Sequence, residues 1–421
     1  MLKRKLIALA IPLCAMLAPA FAADGPHGLP SRAGLILTLN HALVVADLDG
    51  LTAQYQSQDP VEHALAAMAI ERVHGNFEQS SKIARMCEAS LEASEPLVAH
   101  YCARFAAANL RLMGDRQASS AEEESIAERY KAALPASVIN NPDITQAPLY
   151  KSLAPTKAIV PNGIKSIPVK KNPRHGSNAI DVAVDGQPLQ MVLDTGAFTA
   201  IGEETARKLG VKVLLEKDGS VRGVLGGTTD KKLGLIDKLV IGNIEVDNLP
   251  VSIIPEERNL LGTDVLQRLG TFEIQRDALL VYGASASTPH CETPLLIGTT
   301  FWGSPPKLIQ RIPIDGVPQN VAFDSGSAFY LTTNQSYTQG PLEHGGQLRI
   351  RDASHGSQPV RYAELTSKVE MAGKSYQLTY AAIENVELPY KYILGAGSLQ
   401  DVRLFVDFRK QVSCLLPRFE N

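Results

Sequence analysis

Two stretches of this chain are close copies of one another. Asp185-Gly186-Gln187-Pro188 leads through Met191-Val192-Leu193 to Asp194-Thr195-Gly196-Ala197, and Asp315-Gly316-Val317-Pro318 leads through Val321-Ala322-Phe323 to Asp324-Ser325-Gly326-Ser327. The copies stand 130 residues apart, and each places its second Asp nine positions after its first. A carboxylate at the end of an apolar strand is costly to bury, because its charge loses hydration. A chain that builds this twice in one register is arranged to bring two carboxylates together.

The repeat runs on downstream. The Gly of Leu260-Leu261-Gly262 lies 68 residues after Asp194, and that of Ile393-Leu394-Gly395 lies 71 after Asp324. Gly226 and Gly356 each follow their Asp by 32 residues, in turn-rich stretches suited to hairpin tips. Self-similarity over roughly 110 residues predicts two homologous β lobes, at 166–290 and 291–421. Short apolar runs at 180–184, 190–193, 235–241, 244–246 and 251–254, bounded by Gly, Pro and Asp, predict strands. A helix is expected at 203–209, closed by Gly210.

The first part of the chain differs in character. Lys3-Arg4-Lys5, an apolar stretch at 6–17 and Ala20-Phe21-Ala22 predict a cleavable signal peptide over 1–22, and hence a periplasmic or secreted mature chain. Apolar residues at helical spacing from Asp59 to about Leu134 predict a helical N-terminal domain, placed at 23–134, although 24–58 carries no clear pattern. Turns at Gly75-Asn76-Phe77 and Gly114-Asp115-Arg116 suit either tetratricopeptide-like hairpins or a plain bundle. The prolines of 135–165 predict a linker.

Composition narrows the partners. The 421 residues provide for two or three domains, and no basic block points to nucleic acid. No second apolar stretch is long enough to span a membrane. Past the leader remain Cys87, Cys102, Cys291 and Cys414, an even number with three possible connectivities. The pairing expected is Cys87–Cys102 across a helical hairpin and Cys291–Cys414 between the ends of the last domain; four buried free thiols are the alternative. No spacing suggests a metal site, and no cofactor is expected.

An Asp on a tight turn after a buried strand is held by nearby backbone N–H groups, and Gly two positions on lets a second backbone pass close. Thr195 and Ser325 can each donate a hydroxyl to the opposite turn. If the lobes pack about a pseudo-twofold axis, Asp194 and Asp324 meet and share one proton. One carboxylate then takes a proton from water while the other donates to a carbonyl oxygen, which is general acid–base hydrolysis of an amide.

These motifs resemble those of the pepsin/retropepsin-like aspartic proteases, over about residues 165–417. The resemblance implies a mainly β fold of two retropepsin-like lobes, with the Leu-Leu-Gly and Ile-Leu-Gly segments packed beside the Asp turns. It implies catalysis by Asp194 and Asp324, support from Thr195, Gly196, Ser325, Gly326 and Ser327, and a substrate flap at Val224, Leu225, Gly226 and Gly227. The second-lobe counterpart, residues 351–357, is more polar, and neither flap carries the tyrosine of pepsin-like lobes.

The copies differ after the Gly. Ser327 is expected to hydrogen-bond the outer oxygen of Asp324 and bias the charge there, whereas Ala197 offers Asp194 nothing. Asp264 reads as a helix cap, since its counterpart is Gly397; His355 reads as a solvated turn residue, and Trp302 as core.

The function expected is a periplasmic or secreted aspartic endopeptidase acting on polypeptides. A monomer suffices for its site, and its helical domain is free to recruit a protein partner. The alternatives are a catalytically inactive peptide-binding relative and a zymogen with an inhibitory N-terminal region.

Overall fold

The Asp-Gly pair that opens each repeat is a two-residue hairpin turn in which both residues take positive φ. Asp185 and Gly186 have φ of 47° and 83°, and Asp315 and Gly316 have 51° and 79°. Such turns match the twist of the strands they join, and Asp-Gly tolerates the left-handed backbone they need. The carboxylates of Asp185 and Asp315 each accept a backbone N–H from a neighbouring strand, Lys238 at 2.7 Å and Lys368 at 2.8 Å. The hairpins pair Asn178–Val184 with Gln187–Leu193 in the first lobe, and Lys307–Ile314 with Val317–Asp324 in the second.

In this computed structural model the described residues are 32–139, 142–171, 177–304, 306–337, 345–352, 356–386 and 388–419. The leader expected at 1–22 and His355 lie outside them. A nine-stranded sheet forms the first lobe and an eight-stranded sheet the second. In each, the strand ending in the Asp turn pairs in parallel with the strand of the second Gly motif: Leu261 lies against Leu193, and Leu394 against Phe323. A third sheet, of five antiparallel strands, joins the lobes where Thr271–Ile274 pairs with Val402–Asp407. The helix at Glu203–Leu209 ends on Gly210 at φ 68°, as its sequence predicts.

The proline-rich stretch is not a bare tether. It holds helices Ala136–Ile139 and Pro142–Ser152 and strands Lys157–Ile159 and Ile164–Pro168. The first strand pairs with Ile244–Ile254 in the first lobe, and the second edges the joining sheet. Pro142 opens the second helix and Pro148 lies inside it, while Pro155 and Pro161 fall in the connections between elements, where no ladder N–H is needed.

Helices Pro60–Val73, Phe77–Leu91, Pro96–Leu112 and Arg116–Tyr130 pack each on the next. Asn76 and Asp115 cap two of them, the latter accepting from Ala118 N at 2.8 Å. A disulfide joins Cys87 to Cys102, and a second joins Cys291 to Cys414. The stretch without a clear pattern contains two further helices, Arg32–Val45 and Leu48–Tyr55. The first buries Ile36, Leu39, Ala42 and Leu43 in a core shared with the helical layer and the second lobe, but its solvent side carries the exposed Leu37, which interrupts the polar stripe.

The layer is fused to that lobe. The buried Arg72 guanidinium donates to Asn109 Oδ1 and Phe105 O, both at 2.7 Å, and across the junction to Phe301 O at 2.7 Å and Thr300 O at 3.1 Å. Asn320 Nδ2 donates to Ala46 O at 2.8 Å, and Asn40 Oδ1 accepts from Phe301 N at 2.8 Å. One apolar core runs from Leu39, Leu43 and Phe105 into Phe301, Ile309 and Ala322. Trp302 sits at this junction, with the Arg104 guanidinium 4.6 Å from its ring centre. Among the described residues no helix is long and apolar enough to cross a membrane.

Candidate active site

The two Asp turns face each other across the lobe boundary, locked by a reciprocal set of hydrogen bonds. Thr195 Oγ1 donates to Phe323 O at 2.8 Å and accepts from Ser325 N at 2.9 Å. Ser325 Oγ donates to Leu193 O at 2.7 Å and accepts from Thr195 N at 3.0 Å. Both hydroxyls are fully buried. Losing either strands polar groups in an apolar environment, at about 1–3 kcal/mol per unmet group.

The carboxyls meet as a consequence. Asp194 Oδ1 accepts from Gly196 N at 2.8 Å, and Asp324 Oδ1 accepts from Gly326 N at 2.9 Å. The glycines are required by the opposite carboxyl. A Cβ on Gly196 would lie 2.6 Å from Asp324 Oδ1, and one on Gly326 would lie 2.5 Å from Asp194 Oδ2. Asp324 hydrogen-bonds the Asp194 side chain. Burial, and then the charge of Asp194, push the Asp324 carboxyl up to about 7, against the opposing pull of Lys307 and the Gly326 N–H.

The Asp324 carboxyl is thus raised, the opposite direction to the effect expected of a Ser327 hydrogen bond. Ser327 does not supply the expected hydrogen bond. Its hydroxyl sits against the second Gly motif, 3.0 Å from where a Cβ on Gly395 would stand, and its carbonyl accepts from Ala396 N at 2.7 Å. Ser327 therefore braces the strand beside the dyad. Asp264 is likewise a brace, accepting from Thr199 N and Oγ1 at 2.8 Å each, while Thr199 Oγ1 accepts from Gly262 N at 3.1 Å.

The dyad floors a cleft of about 480 Å³ between the lobes. The first-lobe flap is a short hairpin, Ser220–Arg222 with Thr228–Asp230, whose tip turns at Gly226 with φ 84°. Val224 lines the cleft, whereas Leu225 reaches across to the second lobe and packs against the buried cluster of Ala381, Ile383 and Val386. Gly226 and Gly227 form the turn, Gly227 O accepting from Gly223 N at 2.8 Å. The second-lobe hairpin, Gly345–Asp352 with Gly356–Met371, is much longer, and its tip at 353–355 lies outside the described residues.

Sequence reasoning missed several residues at or beside the dyad. Lys307 begins the strand beside Asp324 and acts electrostatically on both carboxyls; burial lowers its own pKa and the carboxylates oppose this. Its counterpart in the first lobe is Ser177, which lines the cleft; the pair is separated by the same 130 residues as Thr195 and Ser325, so aligning the repeat reveals it. Tyr390 and a set of cleft arginines carry no local signature.

Residues 180–268 match the family model described as gag-polyprotein putative aspartyl protease. Among solved structures, a retropepsin-like aspartic protease from Rickettsia conorii is 23% identical, covering 31% of this chain and 96% of that one, with a TM-score of 0.23. Basic 7S globulin from soybean is 11% identical, covering 61% of this chain and 97% of that one, with a TM-score of 0.36. No curated protein matches the chain. The matched residues 180–268 are thus similar to an aspartyl protease family, and the Asp motif they carry is repeated in the second lobe at Asp324-Ser325-Gly326.

Proposed function

We propose that this protein is an aspartic endopeptidase that hydrolyses peptide bonds with a water activated between Asp194 and Asp324. The observation that carries this reading is the hydrogen-bonded carboxyl pair at the floor of the inter-lobe cleft, with Asp324 favoured to hold the proton. Water attacks the peptide carbonyl carbon as its proton passes to Asp194, and Asp324 gives its proton to the carbonyl oxygen. Collapse of the tetrahedral diol breaks the C–N bond; the proton on Asp194 goes to the departing amine, and one diol hydroxyl returns its proton to Asp324.

The two disulfides favour an oxidising compartment, which supports a periplasmic or secreted protein. The helical layer suits recruitment of a protein partner. No residue of 32–152 lines the cleft, and the layer shares its core with the second lobe, which speaks against a removable inhibitory segment. Asp194→Asn and Asp324→Asn are each expected to lower cleavage of an unfolded protein by at least about 10²–10⁴-fold. Cleavage that survives either substitution overturns the mechanism.

A further inference from the structure

We infer that the cleft selects polypeptide segments bearing carboxylate side chains next to the bond that is cut. This rests on the endopeptidase reading and adds a substrate class to it. The residues lining the cleft include five cations, Arg222, Arg258, Arg349, Arg351 and Lys391; the acidic side chains among them are those of the dyad, Asp194 and Asp324. The cations come from both lobes. Arg222 lies on the flap and Arg258 just before the Leu-Leu-Gly strand, while Arg349 and Arg351 lie on the second-lobe hairpin and Lys391 just before the Ile-Leu-Gly strand.

Three of them converge at one end. Arg349 and Arg351 are two apart on one strand and so share a face. Arg258 reaches over from the first lobe, its Nη1 donating to Arg351 O at 3.1 Å. Glu256 is the carboxylate that joins this group, accepting from Arg351 Nε at 2.6 Å. Arg349 is held in place by Ser357, donating to its Oγ and its carbonyl at 3.1 Å each. Along the described lining the cations outnumber the acidic side chains, and low-dielectric walls focus such a field on whatever enters. The same cleft is lined by apolar side chains, Leu260 and Phe329 among them, so it suits a side chain with an apolar stem and an acidic tip.

The test uses the full chain and three peptides that differ only beside the cleaved bond, carrying Glu, Gln or Lys. The Glu peptide is expected to exceed the Lys peptide in kcat/KM by about tenfold at low salt, since a few partly solvated ion pairs together reach that size. The preference should shrink in about 0.5 M salt. Arg258→Glu with Arg349→Glu should lower or invert the Glu-to-Lys ratio, and Arg349→Gln alone should lower it if the double variant does not fold. Equal rates on all three peptides, all abolished by Asp194→Asn, overturn the charge selection and leave the endopeptidase reading standing. If wild type cleaves none of them, the endopeptidase reading fails, and the charge selection is decided by fluorescence-anisotropy binding of the same peptides to the wild-type chain. Tighter, salt-sensitive binding of the Glu peptide supports it, and equal binding overturns it.

Discussion

Asp324 is favoured to hold a proton because it is buried beside another carboxylate, and both effects act against ionisation. Its carboxyl is raised from an ordinary 3.8 to about 7, so the singly protonated dyad extends to near neutrality and kcat/KM should fall as pH rises through about 7. Lys307 pulls in the opposite sense, so Lys307→Met should move that falling limb to higher pH; an unmoved limb would remove Lys307 from the account. Folding stability follows the same linkage. The folded state holds this proton more tightly than the unfolded chain, so the contribution is full below about 4 and is lost as pH rises to about 7. Thermal melts across this range read that decline separately from activity. At this scale the paired Asp, Thr/Ser and Gly residues were legible because each obeys a local geometric need. The partner of Ser327 was not, because a hydroxyl bonds to whichever strand the fold sets beside it.

The flap shows how an element acquires a role beyond its sequence. Gly223, Gly226 and Gly227 predict a tight tip, and Val224-Leu225 predict an apolar lid. The structure divides the two apolar residues: Val224 faces the cleft, and Leu225 anchors the tip on the second lobe. Leu225→Ala should loosen that anchor, raising KM by up to about tenfold with a smaller change in kcat, since the lost burial amounts to about 1–2 kcal/mol. A fall in kcat with KM unchanged would show that Leu225 acts on the chemical step instead. The helices from 60 to 130 were legible from their period and their Asn and Asp caps, whereas Arg32–Val45 was hidden because the exposed Leu37 interrupts its polar side.

Across the whole molecule, the helical layer and the second lobe share one core, tied at Arg72. Arg72→Met removes the donors to Phe105 O, Thr300 O, Phe301 O and Asn109 Oδ1, leaving buried acceptors unmet. A loss of about 3 kcal/mol or more is expected, read from urea denaturation, with protease sensitivity appearing around 300–304 as the junction opens. An unchanged midpoint would mean that the layer is held by apolar packing alone.

Residues that are neighbours along the chain determined much of this protein directly. Asp-Gly sets the hairpins, the Asp-Thr/Ser-Gly turns follow apolar strands, and caps and turn glycines bound the helices, because these geometries depend on a few adjacent dihedrals. The repeat extended that local reading to two lobes. Three features were decided only by the tertiary structure: the upward shift of the Asp324 carboxyl, the fusion of the helical layer to the second lobe, and the gathering of Arg258, Arg349 and Arg351 in the cleft. Each depends on burial and on charges brought together from distant parts of the chain, and no local pattern in the sequence encodes those distances.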